Sequence, residues 1–171
     1  MDTDILADLV PSKARRVIAV AMISMLGVFL IYIALTPPDE SFAGRLILLG
    51  VGAAMLFLAD RVWRATALGV VLTEAGLTDT EGRAICALDD VVKVERGAFA
   101  FKPSNGFMLR VKTPMPRAWA PGLWWRFGTR VGIGGVSNSS QAKAMADFIA
   151  LKLAVREGKL DGLDFPDGSG R

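Results

Sequence analysis

The sequence contains no histidine and only one cysteine, Cys86. The missing histidine removes the usual general base near neutral pH, the commonest metal ligand and most catalytic triads. A single cysteine cannot form an internal disulfide, so the fold must depend on packing, and a reducing compartment is expected. Cys86 lies in an apolar segment without a basic neighbour, which predicts a small core residue rather than a nucleophile. These absences favour a non-enzymatic protein without a cofactor or a metal.

Charge is scarce in the first third of the chain. The sequence of 171 residues is 52% hydrophobic and 22% charged, with a mean hydropathy of +0.40, which is too apolar for an ordinary soluble domain. No charge interrupts Val17–Leu35, and a helix of this length spans about 28 Å, close to the ~30 Å hydrocarbon core of a bilayer. Two prolines and two acids follow at 37–40 and predict a turn in an aqueous loop. The segment is therefore predicted to be a transmembrane helix.

A second apolar segment follows this loop. Its uncharged part, Leu46–Ala59, is short, and the segment reaches spanning length only when it is counted from Phe42 to Trp63, with the flanking charges at the two interfaces. The alternative is a half-inserted or interfacial helix. Gly50 and Ala54 form a pair of small residues one helical turn apart, which predicts close packing of the two helices.

The placement of charges predicts the orientation of this hairpin. Basic residues precede the first helix and follow the second, whereas the loop between them is acidic. The positive-inside rule then places both termini in the cytoplasm, in a multi-pass protein of the cell (inner) membrane. A cleaved signal peptide is the competing interpretation, but the first apolar run exceeds the usual ~7 to 15 residues and a second follows it. The predicted organisation is a cytoplasmic segment (1–16), the transmembrane hairpin (17–64), a cytoplasmic β domain (68–157) and a flexible tail (158–171).

Beyond Ala67 the hydrophobic period changes from helical to strand-like. Short apolar segments separated by turn residues predict antiparallel strands at Gly69–Thr73, Leu77–Thr80, Arg83–Leu88, Val91–Arg96, Ala98–Lys102, Phe107–Thr113 and Arg130–Gly134. The Asn105-Gly106 pair predicts a hairpin between the fifth and sixth of these strands. No regular element is predicted over Pro114–Thr129. An amphipathic helix follows, capped within Asn138–Ser140 and ended by Gly158.

The order of these elements has a known parallel. Gly69–Leu77 is a strand, an acidic turn with glycine and a second strand, Ala87–Val94 is an aspartate turn that leads into a strand, and a helix follows Val136. With two membrane helices in front, this order resembles the bacterial membrane-anchored proteins with a pleckstrin-homology-like (PH-like) domain, including the YcxB-like group, over roughly residues 69–155. The resemblance implies a partly open β barrel capped by the C-terminal amphipathic helix, with Phe148 and Ile149 in the barrel mouth. It carries over no functional residue, because its patterns are those of turns and strands.

Acidic residues are absent between Glu95 and Asp147, whereas eight residues in that stretch are basic. The segment Pro114–Thr129 lies there and interleaves tryptophans with arginines, a composition suited to the headgroup region of a membrane. The candidate residues for binding lipid or a membrane partner are Arg117, Trp119, Trp124, Trp125, Arg126 and Arg130. Two other interpretations stay open. The tryptophans can belong to the domain core, as large aromatics usually do, or the segment can dock another membrane protein.

The leading hypothesis is a membrane-anchored adaptor or assembly factor whose PH-like domain contacts lipid headgroups or a membrane-protein partner through this basic, Trp-rich segment. The alternative is a structural accessory subunit of a larger membrane complex, held through the transmembrane hairpin at Gly50 and Ala54. Nucleic-acid binding is disfavoured by the anchor and by the lack of a recognised motif, despite a sequence pI near 9.3. Gly132–Gly135 lacks the spacing and the lysine of a phosphate-binding loop and is interpreted as a strand end.

Overall fold

Two long helices form the N-terminal part of the fold. A computed structural model describes residues 5–36, 41–96 and 103–158. Helix α1 covers Lys13–Leu35 and helix α2 covers Phe42–Ala65, so both expected helices are confirmed and each extends beyond its uncharged part. The side chain of Ser41 caps α2 by accepting a hydrogen bond from the Gly44 amide at 3.2 Å.

The two helices expose most of their apolar surface. Both are long and apolar enough to cross a membrane, and only 11% of the most apolar window of each is buried inside the protein. A helix of the same composition in a soluble core would be mostly buried, because water contact with apolar surface is unfavourable. The exposed side chains include Met25 and Phe29 on α1 and Ile47 and Phe57 on α2.

The helices contact each other through glycines other than the expected pair. A Cβ atom on Gly52 would lie 2.9 Å from the carbonyl oxygen of Gly27 and 2.6 Å from a side-chain carbon of Ile31. Only glycine allows this approach of one backbone to the other. Gly50 and Ala54 are exposed, and a Cβ on Gly50 would meet no atom of the described residues within 4 Å. The small residues that pack α1 against α2 are therefore Gly27 and Gly52, and the expectation for Gly50 and Ala54 does not describe this contact.

Over residues 5–36, 41–96 and 103–158, seven strands form two antiparallel sheets. The first sheet has the order β1-β2-β3-β4 and the second has the order β5-β6-β7. The strands are β1 (Ile5–Leu9), β2 (Val70–Thr73), β3 (Gly76–Asp79), β4 (Ala84–Ala87), β5 (Val91–Glu95), β6 (Phe107–Ala120) and β7 (Trp124–Ile133). The helical hairpin with a mainly β domain is thus confirmed. Over the described residues the two sheets remain separate and do not close into a barrel.

Strand β1 lies in the segment that was expected to be only an N-terminal extension. It pairs with β2, which follows both helices in the sequence, with Leu9 opposite Val70 and Asp8 opposite Val71. Leu9 is fully buried in the core. Along the chain, the two apolar helices therefore come between β1 and β2, which are neighbours in one sheet. Both ends of the helical hairpin lead directly into the β domain.

The Trp-rich segment is a β-hairpin and not the irregular connection that was expected. β6 continues through Pro114 and Pro116, and a tight turn with a hydrogen bond from the Leu123 amide to the Ala120 carbonyl (3.0 Å) leads into β7. The pairing of β6 with β7 shifts register on both sides of Met115, and such irregularities accommodate prolines, which have no amide hydrogen. The prolines therefore interrupt the hydrogen-bond ladder without ending the strand.

The expected turn at Asn105-Gly106 is present, and β6 begins at Phe107, where the second strand of this hairpin was expected. Asn105 has a φ of 54°, a left-handed conformation that asparagine tolerates. Within the described residues this part of β6 pairs with β5, with Glu95 opposite Met108, and with β7, with Phe107 opposite Ile133. The strand expected at 98–102 lies outside the described residues.

Helix α3 (Ser139–Arg156) covers the β domain. The Asn138 side chain caps it by accepting a hydrogen bond from the Ser140 amide at 3.0 Å. Met145, Ile149 and Leu153 are buried against the strands, and Phe148 packs partly buried beside them. The amphipathic face expected for this helix is therefore the one that closes the core.

Candidate functional site

The β6–β7 hairpin has two different faces. Trp119 lies opposite Trp125, and Ala120 lies opposite Trp124. Because side chains alternate along a strand, each pair points to its own side of the hairpin. The inward face carries Trp124 and Ala120, and the outward face carries Trp119 and Trp125, with Arg117 and Phe127 further along.

The inward face belongs to the core of the protein. Trp124 is 2% exposed and packs in the same hydrophobic cluster as the strands of both sheets. The guanidinium of Arg83 lies 5.7 Å from the centre of the Trp124 ring, a distance at which a cation is attracted to the ring face. Trp124, one of the expected binding residues, is therefore a structural residue in the described fold.

Arg126 connects the hairpin to the first sheet. Its Nε donates to the carbonyl oxygen of Pro116 at 2.9 Å, and one terminal nitrogen donates to the carbonyls of Ala84 (2.8 Å) and Ile85 (3.2 Å). Pro116 lies on β6 and the other two residues lie on β4. Because hydrogen bonds from a charged donor are stronger than neutral ones, Arg126 links the edges of the two sheets where no strand pairing joins them.

The outward face presents aromatic and basic side chains to the surroundings. Trp119 is 59% exposed and Phe127 is 64% exposed, and the guanidinium of the exposed Arg117 lies 5.7 Å from the centre of the Phe127 ring. Trp125 is half-buried, and its indole lies over Gly132, where a Cβ would come within 2.4 Å of the ring. A shallow hollow of about 250 Å³ lies among these side chains.

Arg130 extends the positive charge of the hairpin toward its base. It is exposed and lies opposite Arg110 in the register. Arg110 approaches Glu95 at 3.7 Å, whereas Arg130 forms no ion pair with any residue in the described part of the chain. Of the six expected binding residues, Arg117, Trp119, Trp125 and Arg130 thus reach the outer surface, and Trp124 and Arg126 hold the fold together.

The turn of the hairpin lies against the end of α2. A Cβ on Gly122 would be 3.0 Å from the Thr66 side chain and 3.5 Å from the Val62 side chain. The Gly122 carbonyl also accepts a hydrogen bond from the Val136 amide at 3.1 Å. The exposed Trp119 is therefore held near the point where the apolar surface of α2 gives way to charged residues.

The beginning of α1 is fixed to the same region. The Arg16 guanidinium stacks 3.8 Å from the centre of the Trp63 ring and donates to the Trp63 carbonyl at 2.7 Å. Arg15 donates to the carbonyl of Ser137 at 2.7 Å. The sequence identified these arginines only as topology signals, because nothing in their spacing indicates contacts with residues so distant in the chain.

Cys86 and Asp90 both have structural positions in the fold. Cys86 is buried, as expected, and desolvation raises the pKa of its thiol to about 12, with a further rise from the nearby Asp90 that Arg126 partly offsets. Asp90 accepts hydrogen bonds from the Thr113 hydroxyl (3.0 Å) and amide (3.3 Å), so it holds β6 to the β4–β5 connection. No cluster of residues able to hold a metal ion occurs at 5–36, 41–96 or 103–158.

Known proteins give no further guidance to the function of the hairpin. Comparison of the chain with protein-family models, with curated proteins and with solved structures finds no match.

Proposed function

We propose that this protein is a non-enzymatic, membrane-anchored adaptor or assembly factor, and that its β domain contacts lipid headgroups or a membrane-protein partner through the outward face of the β6–β7 hairpin. The observation that carries the proposal is the position of that face. Trp119 and Phe127 are exposed on a hairpin whose turn contacts the end of the apolar helix α2. Exposed indole and guanidinium groups at such a position suit a membrane interface.

The exposed apolar helices support the membrane anchor. Their surfaces would be unfavourable in water, and nothing else in the described protein covers them. Basic residues lie in the first turn of α1 and in the last turns of α2, which favours a cytoplasmic position for both ends and for the β domain in the inner membrane of a bacterium. A PH-like identity for this domain belongs to the same proposal and is supported by the succession of two antiparallel sheets and a covering C-terminal helix.

Burial and hydrogen bonding reduce the number of residues that we propose for this contact. Trp124 and Arg126 are occupied inside the fold, which leaves Arg117, Trp119 and Phe127 as the exposed group on the hairpin, with Arg130 nearby. Phe127 was absent from the residues proposed from sequence, because only its contact with Arg117 across the hairpin shows that the two share a face.

The test is a double substitution of the outward face, Trp119→Ala with Phe127→Ala. The tagged full-length protein is purified from its own membranes without detergent, and the co-purifying lipids and proteins are quantified by mass spectrometry. The expected result is loss of a bound lipid or partner, because the exposed aromatic anchors are removed while the buried ones remain. The matched control is Leu151→Ala with Val155→Ala, two exposed apolar residues on α3. Unchanged lipid and protein partners in the hairpin variant, or equal losses in both variants, would contradict the proposal.

The alternative function is that of an accessory subunit held in a larger complex by its helices. Gly50 and Ala54 favour it, because both are exposed on α2, and a Cβ on Gly50 would meet no described atom of α1 within 4 Å. A second helix could approach α2 closely at these small residues. Loss of a native complex on Gly50→Leu, with the hairpin variant still assembled, would favour this alternative over the adaptor.

A further inference from the structure

A groove of about 550 Å³ lies where α2, the β3–β4 turn and the tip of the β6–β7 hairpin meet. It is the junction between the apolar helices and the β domain, and it has both apolar and basic walls. The lining residues that matter for its chemistry are Phe57, Arg61, Arg64, Glu81, Arg83 and Trp119. Three guanidinium groups therefore share the groove with one carboxylate.

The first basic group, Arg83, is fixed in place by a buried acid. Asp79 accepts hydrogen bonds from the Arg83 Nε at 2.7 Å, from the Arg83 amide at 2.9 Å and from the Glu81 amide at 3.1 Å. The Asp79 side chain is fully buried and does not line the groove. A guanidinium has five N–H donors, so the ion pair orients Arg83 and leaves further donors for a ligand.

The other two guanidinium groups belong to the last turns of α2. Arg64 pairs with Asp60 at 3.0 Å, and both side chains are solvent-exposed, so this pair is weak and easily rearranged. Arg61 forms no ion pair with the described residues, and its guanidinium lies 5.3 Å from the centre of the Phe57 ring. The groove thus has one unpaired and two partly occupied arginines.

The apolar wall continues onto the exposed surface of α2. Phe57 is 63% exposed and lies one helical turn before Arg61, on the apolar side of the helix. Trp119 faces the same groove from the hairpin. A molecule that fits both walls has an anionic group at the arginines and an apolar part along α2. Arginine suits phosphate because its planar donors bind two oxygens at once.

We propose that this groove binds the phosphate group of an anionic phospholipid, with the acyl chains lying along the apolar side of α2. The inference rests on the proposed insertion of the helices into a membrane, since only then does the apolar end of the groove meet acyl chains. It goes further by naming the ligand class and the arginines that hold it. A free phosphate would use the arginines but would gain nothing from Phe57 and Trp119.

The experiment measures lipid retention by the full-length protein in detergent micelles with native mass spectrometry. Phosphatidylglycerol, phosphatidylcholine and inorganic phosphate are the three probes. Retention of one phosphatidylglycerol is expected, with about tenfold weaker retention in Arg61→Gln and a larger loss when Arg83→Gln is added, because each removes charged hydrogen bonds. The matched control is Lys112→Gln with Lys143→Gln, which removes the same charge from exposed residues outside the groove.

Each outcome decides the inference. Retention of phosphatidylglycerol that falls in the groove variants and persists in the lysine control supports it. Equal losses in both double variants, equal retention of phosphatidylcholine, or displacement of the lipid by millimolar inorganic phosphate overturns it. The single variant Arg61→Gln keeps the test valid if Arg83→Gln fails to fold, because Arg61 has no ion pair to lose within the described part of the chain.

Failure of the proposed function is recognised separately. A chain that alkaline carbonate releases from its membranes is not inserted, and both proposals then fail. A chain that stays in the membrane, retains its partners through the outward hairpin face and binds no phosphatidylglycerol overturns only the lipid groove.

Discussion

Arginine side chains hold backbone carbonyls at several junctions of this protein. Arg126 joins β6 to β4, Arg15 joins the start of α1 to Ser137, and Arg156 of α3 donates to the carbonyl of Asp89 at 3.1 Å. Each of these contacts connects segments far apart in the chain. The positions of basic residues in the sequence therefore do not show which of them face a membrane or a partner, because some of these residues bind backbone carbonyls inside the fold.

The substitution Arg126→Ala tests this structural role. It leaves the carbonyls of Pro116, Ala84 and Ile85 without their donor and removes the link between the sheets. We expect a loss of about 2 kcal/mol in the free energy of unfolding, the order found for hydrogen bonds from charged groups. Urea unfolding of the full chain in micelles, followed by circular dichroism, measures it. The control Arg117→Ala removes an exposed guanidinium and should change stability by less than about 0.5 kcal/mol. Equal effects of the two substitutions would show that Arg126 is not a structural link.

Cys86 gives the protein a specific dependence on alkaline pH. Its thiol has a pKa of about 12 in the folded protein, raised from an ordinary value of 9.0 mainly by burial. Between these two values the unfolded chain loses the proton while the folded chain keeps it, so stability falls as the pH rises. At pH 10 this amounts to about 1.4 kcal/mol relative to pH 8.

The variant Cys86→Ala isolates that contribution. Because other groups also titrate at high pH, the measured quantity is the difference in the free energy of unfolding between wild type and variant at the two pH values. The wild type should lose about 1.4 kcal/mol more than the variant between pH 8 and pH 10. A difference that does not change with pH would mean that the thiol titrates in the same way in both states.

At the scale of elements, the α1–α2 contact separates two glycines that look equivalent in sequence. Gly52→Leu would place a side chain against the Gly27 carbonyl and Ile31, whereas the Cβ of Gly50→Leu would have no atom of the described residues within 4 Å. We expect Gly52→Leu to cost about 1–3 kcal/mol through overpacking and to lower the thermal midpoint in micelles, with Gly50→Leu close to wild type. A lower midpoint for Gly50→Leu alone would reverse the assignment of the packing face.

Short elements with clear punctuation were predictable from sequence. The glycines and acidic turns around β2, β3 and β4 marked those strands, and the Asn138 cap marked the start of α3. The hairpin was not predictable, because Pro114 and Pro116 normally end strands. Both prolines follow Val111, the last β6 residue that pairs with β5. They also lie where the pairing of β6 with β7 shifts register. Their missing amide hydrogens are tolerated there, a condition that only the three-dimensional pairing reveals.

The candidate site was likewise predictable from sequence only in part. Composition identified the basic, Trp-rich segment, but it could not separate Trp124 and Arg126 from Trp119 and Arg117. That separation depends on which residues face each other across the hairpin, and the register is set by the turn and by the bulges. The groove was also invisible in sequence, because Arg61 and Arg83 come from different elements and only the fold places them together.

At the scale of the whole molecule, the position of α1 and α2 in the sequence, between the paired strands β1 and β2, determines how the two helices are oriented in a membrane. β1 pairs with β2 in one sheet, so the start of α1 and the end of α2 must lie on the same side of any membrane that the helices cross. This constraint is independent of the positive-inside rule and agrees with it. The start of α2, at Phe42, must then lie on the opposite side.

Cysteine labelling tests this topology directly. In a Cys86→Ala background, the exposed residues Ile5, Phe42 and Val155 are replaced singly by Ile5→Cys, Phe42→Cys and Val155→Cys. A membrane-impermeant maleimide should label only the Phe42 variant in spheroplasts and only the other two in inverted vesicles. Labelling of all three from one side would mean that the hairpin does not span the membrane. Labelling of Ile5 and Val155 from opposite sides would contradict the fold itself, because β1 and α3 belong to one core through Leu9 and Ile149, which no membrane can separate.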